Sequence, residues 1–236
     1  MGTMTKVTEQ EMRKLFSDRK PEERINLTGR IFEPMDLTGC DLSNMDFSFS
    51  SMQDVVLNNV NFENSSLENA LFDGTSLHGA NLKNANLKKA AFRSCDLGEC
   101  NICGADLFAA VLENANLEGI ISDENTKWFR MYCPEEGAFL GYKKCMYGRL
   151  VQLLIPADAK RTSATMNCCR CEKAKVLTIK SFDYKESFDE AWSMVDEDFV
   201  YRVGEWVVAE NFNPDRWFDS TGGIHFWLTR EEALAY

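Results

Sequence analysis

The stretch Ala80-Asn81-Leu82-Lys83-Asn84-Ala85-Asn86-Leu87-Lys88-Lys89-Ala90-Ala91-Phe92 places a large apolar residue at every fifth position, with a small residue two places before it. Followed outward in both directions, the phase runs unbroken from Leu27 to Leu117, nineteen positions held only by Leu, Phe, Met or Ile. A helix has period 3.6 and an ordinary strand period 2, so neither produces this pattern. A fixed short period describes a solenoid in which each unit is one side of a coil. Residues two apart on extended backbone point to the same side, so the large and small members of each unit share one interior. The residue between them is Asn or Asp in eleven of the nineteen units. Units close on residues such as Gly39, Asn44, Asn59, Gly74 and Gly79, types that favour a turn every five residues.

Units such as Cys40-Asp41-Leu42-Ser43-Asn44 closely resemble the pentapeptide-repeat family over residues 25–119. The resemblance implies a right-handed, four-sided β-helix with four units per coil. Nineteen units then make roughly five coils, a stub ~20–25 Å long at the ~4.8 Å spacing of neighbouring strands. Arg30 interrupts the inward pattern, which predicts an open first coil where its guanidinium reaches water or an acidic partner. Open solenoid ends expose unpaired backbone and need caps. Thr8–Phe16 reads as a short helix with a Thr8-x-x-Glu11 capping box and an apolar stripe of Met12, Leu15 and Phe16, suited to cover the first coil. The domains expected are an amino-terminal segment at 1–24, the repeat at 25–120 and a carboxy-terminal β-rich domain at 121–236, which would close the other end.

The chain has 236 residues, 44% of them hydrophobic, and a net charge of −11. Residues 25–120 carry 13 acidic and 5 basic side chains, so the rod is acidic and direct DNA binding is not expected. No stretch approaches the ~20 apolar residues of a membrane span, and the polar, charged amino terminus predicts no secretory signal. Met1-Gly2-Thr3 ahead of Met4 reads as a vector-derived remnant. Nine cysteines, an odd number without a signal, fit a reducing compartment, so the expected location is the cytoplasm of a bacterial host cell. Cys40, Cys95 and Cys100 occupy small inward positions as small hydrophobes, and Cys103 faces outward.

With twenty residues per coil, outward positions stack in columns. Most columns mix charge and polarity, but one reads Ile31, Ser51, Leu71, Ala91 and Val111. An aligned apolar stripe marks a contacted surface: an intramolecular contact, or an interface with a partner or a second copy. Ile31, Leu71, Ala91, Val111 and Phe108 are therefore the candidate interface residues, with Phe108, Ala109 and Cys103 assigned to a junction with the second domain.

Beyond Gly119 the period stops, and 123–132 reads as a connector carrying Trp128, Phe129 and Tyr132. Alternating apolar runs predict strands at about 138–146, 149–155, 173–182, 199–208 and 223–228, with a hairpin turn at Tyr147-Gly148. Thr229-Arg230-Glu231-Glu232 is a capping box opening a final helix. The fold expected is a small antiparallel β or α+β domain. The segments Gly141-Tyr142-Lys143-Lys144-Cys145, Leu154-Ile155-Pro156-Ala157-Asp158, Tyr201-Arg202-Val203-Gly204-Glu205 and Gly223-Ile224-His225-Phe226-Trp227 resemble a domain of unknown function. That domain recurs in phage and bacterial proteins, often beside pentapeptide repeats. It implies a phage-encoded accessory protein and no particular activity.

Three constellations there bear on chemistry. Cys168 and Cys171 have zinc-knuckle spacing, but no second pair completes a ligand set, so free thiols are expected and no metal or other cofactor. Cys145 with His225 has the composition of a nucleophile and base, beside the plainer reading of a structural histidine on a strand. Lys143, Lys144, Lys160, Arg161, Arg170, Lys173 and Lys175 form a basic cluster in an acidic chain. They can converge on a phosphate or small nucleotide, or simply line a solvated face. Lys143, Lys144, Cys145, Arg161, Arg170 and His225 are accordingly the candidate ligand-binding residues.

The reading these features favour is a non-enzymatic interaction protein, a phage accessory or counter-defence factor that modulates a host or phage protein. Two alternatives stay open. One is an acidic DNA mimic that inhibits a DNA-binding enzyme such as gyrase, for which the rod is short against the ~34 Å turn of B-DNA unless it pairs as a homodimer. The other is binding of a small nucleotide or phosphate by the carboxy-terminal domain.

Overall fold

The computed structural model describes residues 5–20, 23–218 and 220–236; Met1-Gly2-Thr3 lies outside them. The chain is mostly β with two helices among the described residues, and it divides into two units, Met1–Arg130 and Met131–Tyr236. Among the described residues no helix is long and apolar enough to cross a membrane.

In the first unit the five-residue period becomes a ladder of parallel bridges between residues twenty apart, such as Asp41↔Asn61↔Asn81↔Asn101↔Ile121. The large residue of each unit from Leu27 to Leu112 is buried, Leu117 is half-buried, and Phe72 stacks on Phe92 with centroids 5.0 Å apart. The Asn and Asp between the paired apolar positions have a local task. Their side-chain oxygens accept from the backbone N–H two residues on, as Asp41 does from Ser43 at 3.1 Å and Asn101 from Cys103 at 3.0 Å. This Asx geometry turns the corners that carry Asn or Asp. The next turn residue takes positive φ, at Asn44 (58°), Asn64 (58°) and Gly74 (77°), which explains the Gly and Asn that close the units.

The ladder begins before the repeat. Strand β1 (Lys6–Val7) pairs in parallel with β2 (Ile31–Phe32), as β3 (Met35–Asp36) does with β4 (Val55–Val56). Helix α1 (Glu9–Asp18) follows, with Thr8 and Glu11 forming the reciprocal capping box. Val7 and Met12 are buried, while Leu15 and Phe16 are only half-buried, and Arg19 donates to the carbonyls of Asp41 (2.7 Å) and Ser43 (2.6 Å). Arg30 is half-buried and contributes to holding the Glu11 carboxyl below its usual range, after the hydrogen bonds from Thr8. At the far end the ladder passes Gly119: Ile121 pairs with Asn101, and Lys127 with Asp106 after a one-residue insertion. Phe108 packs edge-on against Trp128 at 5.1 Å.

The second unit holds an antiparallel sheet in the order β12-β9-β6-β5, built from β5 (Phe139–Cys145), β6 (Arg149–Ile155), β9 (Lys173–Ser181) and β12 (Trp206–Val208). A second sheet joins β7 (Arg161–Ser163), β8 (Cys169–Cys171) and β13 (Ile224–Phe226), and β10 (Glu190–Trp192) pairs with β11 (Val200–Arg202). Tyr147 (φ 58°) and Gly148 (φ 69°) form the β5–β6 turn, closed by Arg149 donating its N–H to the Met146 carbonyl. The single strand expected at 199–208 is two strands in different sheets. Gly204 at φ 84° turns the chain between them, and Glu205 donates back to the Arg202 carbonyl at 3.1 Å. One core gathers Val151, Leu153, Ile155, Val176, Ile224 and Phe226. Helix α2 (Arg230–Ala235), capped by Thr229 and Glu232, covers a smaller cluster of Leu150, Trp227 and Ala233.

Candidate ligand site

Strand alternation places Gly141, Lys143 and Cys145 on the core side of β5. Lys143 lies opposite Val151, a fully buried residue of β6, and is itself only 7% exposed. A lysine therefore occupies a position that the pattern reserves for an apolar side chain. Its Nζ has no hydrogen-bond or ion-pair partner among the described residues. Burial pushes its pKa down from the usual lysine value, opposed by the nearby thiols of Cys145, Cys168 and Cys171. It lines a cleft of about 550 Å³ shared with Cys168, His225, Thr221, Phe199 and Met194.

Cys168 and His225 reach the cleft through the register of the second sheet. His225 on β13 pairs with Arg170 on β8, so Cys168, two residues before Arg170, is its diagonal neighbour on the same face. Cys168 Sγ lies 3.5 Å from His225 Nδ1, and His225 Nε2 lies 2.9 Å from the Thr221 carbonyl. The alternate residues Cys169, Cys171, Ile224 and Phe226 turn inward and are buried. Gly222 shapes the loop beside the cleft, since a Cβ there would stand 1.9 Å from the Asn211 carbonyl oxygen.

Of the remaining ligand-binding candidates only Lys144 also lines the cleft. Cys145 is buried in the core, with its thiol pushed up to about 12 by burial, and His225 meets Cys168 instead. Arg161 donates to the carbonyls of Ala159, Gly137, Pro156 and Ala157 at 2.6–3.0 Å, tying loops together. Arg170 is buried and donates to the carbonyls of Phe218, Asp215 and Asn213. Lys144 belongs to the cleft lining, but its Nζ lies 3.5 Å from the Leu234 carbonyl, as expected for the opposite face of β5. Lys160 pairs with Glu172 (3.7 Å), Lys173 with Asp158 (2.7 Å), and Lys175 lies over the Trp206 ring. The basic cluster is thus dispersed, leaving Lys143, Lys144 and His225 in one cleft. Cys168 and Cys171, three apart along an extended segment, face opposite sides, and Cys171 Sγ points to the Ile224 carbonyl at 3.9 Å. Among the described residues no group of three or more His, Cys, Asp or Glu is arranged to hold a metal ion.

The interface candidates form the column anticipated from the spacing: Ile31↔Ser51↔Leu71↔Ala91↔Val111 is one continuous ladder. Leu71 is 43% exposed, Ile31 and Val111 are half-buried, and Ala91 is buried.

Family models match the chain in three places: a pentapeptide repeat region at residues 25–102, pentapeptide repeats (8 copies) at 85–121, and a family of unknown function (DUF5758) at 129–233. Pentapeptide repeats thus account for residues 25–121, and a family of unknown function follows them. All the lining residues of the cleft except Tyr236 lie within the region matched by the family of unknown function. No curated protein matches the chain. Similar solved structures include a pentapeptide repeat protein from the cyanobacterium Cyanothece 51142, at 25% identity and TM-score 0.39, covering 52% of this chain and 84% of that one. Another, from the Arabidopsis thaliana thylakoid lumen, has 25% identity and TM-score 0.38, covering 41% of this chain and 66% of that one. The plasmid-mediated fluoroquinolone resistance protein QnrB1 has 21% identity and TM-score 0.21, covering 45% of this chain and 68% of that one.

Cys168 was not among the ligand-binding or catalytic candidates, although its outward phase against buried Cys169 and Cys171 is readable from alternation. Its partner is set by the β8–β13 register, which no local pattern carries.

Proposed function

We propose that this pentapeptide-repeat protein is a binding protein whose carboxy-terminal domain takes a small anionic ligand, a phosphate or nucleotide, in the cleft beneath Lys143. The observation that carries this reading is the buried lysine itself. Lys143 is 7% exposed and opens only to the cleft, which Asp196 also lines, and an ammonium so largely withdrawn from water is costly unless it is paired. A cleft wall that keeps the lysine is accounted for by an anion that completes it. His225 adds a second titratable group, and Phe199 and Trp227 offer apolar surface for the body of a ligand.

In this reading the repeat is a short acidic scaffold, and its apolar column is the surface presented to a protein partner. We read the setting as that of a phage-encoded accessory factor acting on a host or defence protein; the matched family of unknown function assigns no activity that would speak against it. Capture of a specific partner by the full chain, lost on changing Leu71 to Ser, tests that arm.

The anion arm is tested by thermal unfolding with millimolar inorganic phosphate and with adenosine mono-, di- and triphosphate. A ligand at one hundred times its Kd stabilises by ~2.7 kcal/mol. Stabilisation by one of them, abolished in Lys143→Met, is the expected result. No stabilisation, or equal stabilisation of the variant, would overturn it.

A further inference from the structure

We propose that Cys168 and His225 form a thiol–imidazole pair that accepts an acyl group from an ester or thioester ligand in this cleft. The proposal uses the cleft of the binding reading but not its anion. A backbone carbonyl only accepts, so the 2.9 Å contact from His225 Nε2 to Thr221 O fixes the ring proton on Nε2. Nδ1 then turns its lone pair toward Cys168 Sγ at 3.5 Å. Nucleophile, base and orienting acceptor thus stand in the order that covalent catalysis requires.

Access separates this thiol from the others of the domain. Cys168 and His225 are half-buried and both line the cleft, whereas Cys133, Cys145, Cys169 and Cys171 are buried. Lys143 brings a cation to the same cleft, where negative charge gathers on the acyl oxygen as the tetrahedral intermediate forms.

The step balances without an oxidant or reductant. Cys168 sulfur attacks the carbonyl carbon and passes its proton to His225 Nδ1. The bond from that carbon to the alcohol or thiol leaving group breaks, and the leaving group takes the proton. Cys168 is left as a thioester.

The test treats the full chain with p-nitrophenyl acetate and follows nitrophenolate release together with site-resolved mass spectrometry. Cys103, half-buried on the repeat, serves as the internal reference. Acetylation at Cys168 about a hundredfold faster than at Cys103 is expected, the low end of base assistance. His225→Gln keeps an amide N–H for the Thr221 carbonyl but removes the base, and should bring Cys168 to the reference rate. In His225→Ala, added imidazole should restore part of the rate. Acetylation of Cys168 no faster than Cys103, measured in the unaltered chain, would overturn the proposal, as would an undiminished rate in folded His225→Gln. The probe is uncharged, so loss of this reaction leaves the phosphate measurement standing, and the reverse also holds.

Discussion

The repeat and the carboxy-terminal domain are both β structures of similar length, yet they store their information differently. In the repeat the strand bridges join residues twenty positions apart, so one unit predicts the next. In the second domain β13 pairs with β8 across more than fifty residues, and β12 lies beside β9 while β11, three residues upstream, belongs elsewhere. Local contacts make a fold readable; distant ones make a site. The lesson is that the region easiest to read is the less informative about chemistry.

Seven substitutions and two pH profiles sharpen the contrast, taken from the largest effect to the smallest. Phe72→Ala removes a ring stacked between coils and should cost about 3–5 kcal/mol in chemical denaturation, whereas Leu71→Ser, one residue away but outward, should stay within about 0.5 kcal/mol. A comparable loss from both would deny that the period separates core from surface. Gly222→Ala in the second domain should cost about 1–3 kcal/mol, because its Cβ meets the Asn211 carbonyl, and it should also abolish phosphate-dependent stabilisation.

Lys143→Met should raise intrinsic stability by roughly 1 kcal/mol or more while removing the anion response. A fall in stability would show the lysine to be structural. Its pH dependence has a definite sign. The folded pKa lies below the unfolded value of ~10.4, so between the two the unfolded chain binds more protons and stability rises with pH. The variant should lose that rise, read as a difference in melting temperature across neutral to alkaline pH.

The two capping boxes provide a matched pair: Thr8→Ala in the first unit and Thr229→Ala in the second should each cost about 1 kcal/mol. Smallest is Asp123, whose carboxyl is held at about 2, chiefly by the backbone N–H of Gly104 and further by Thr126 and Asn125. Its contribution is present above the ordinary aspartate pKa and is lost as pH falls through about 2. Asp123→Asn should flatten the acid limb of the stability profile in that window.

The legibility of each region follows from its physics. The repeat, α1 with its Thr8 box and the long strands β5, β6 and β9 all announce themselves, because they run long enough for a period to repeat. Strands β7, β8 and β10 have three residues each, fewer than alternation needs to stand out from chance. The strand expected at 199–208 failed at one residue, Gly204, whose positive φ divides it. Within the cleft, Lys143 was visible as a basic residue, but its inward phase between Gly141 and Cys145 carried the better signal. Cys168 and His225 each face outward by alternation, yet which cysteine meets the histidine depends on sheet register.

The twenty-residue ladder has a consequence for how this surface can change. Each five-residue unit is one side of a four-sided coil, like a quarter-hour on a dial. Deleting five residues between Leu71 and Ala91 would leave every large residue pointing inward, so the core would survive. All that follows would be turned by a quarter, however, and Ala91 and Val111 would leave the side that carries Ile31 and Leu71. Only whole revolutions, insertions or deletions of twenty, preserve both the interior and the alignment of the outer columns. The repeat can therefore lengthen freely in one step size and rearrange its exterior in another, with the same buried chemistry throughout.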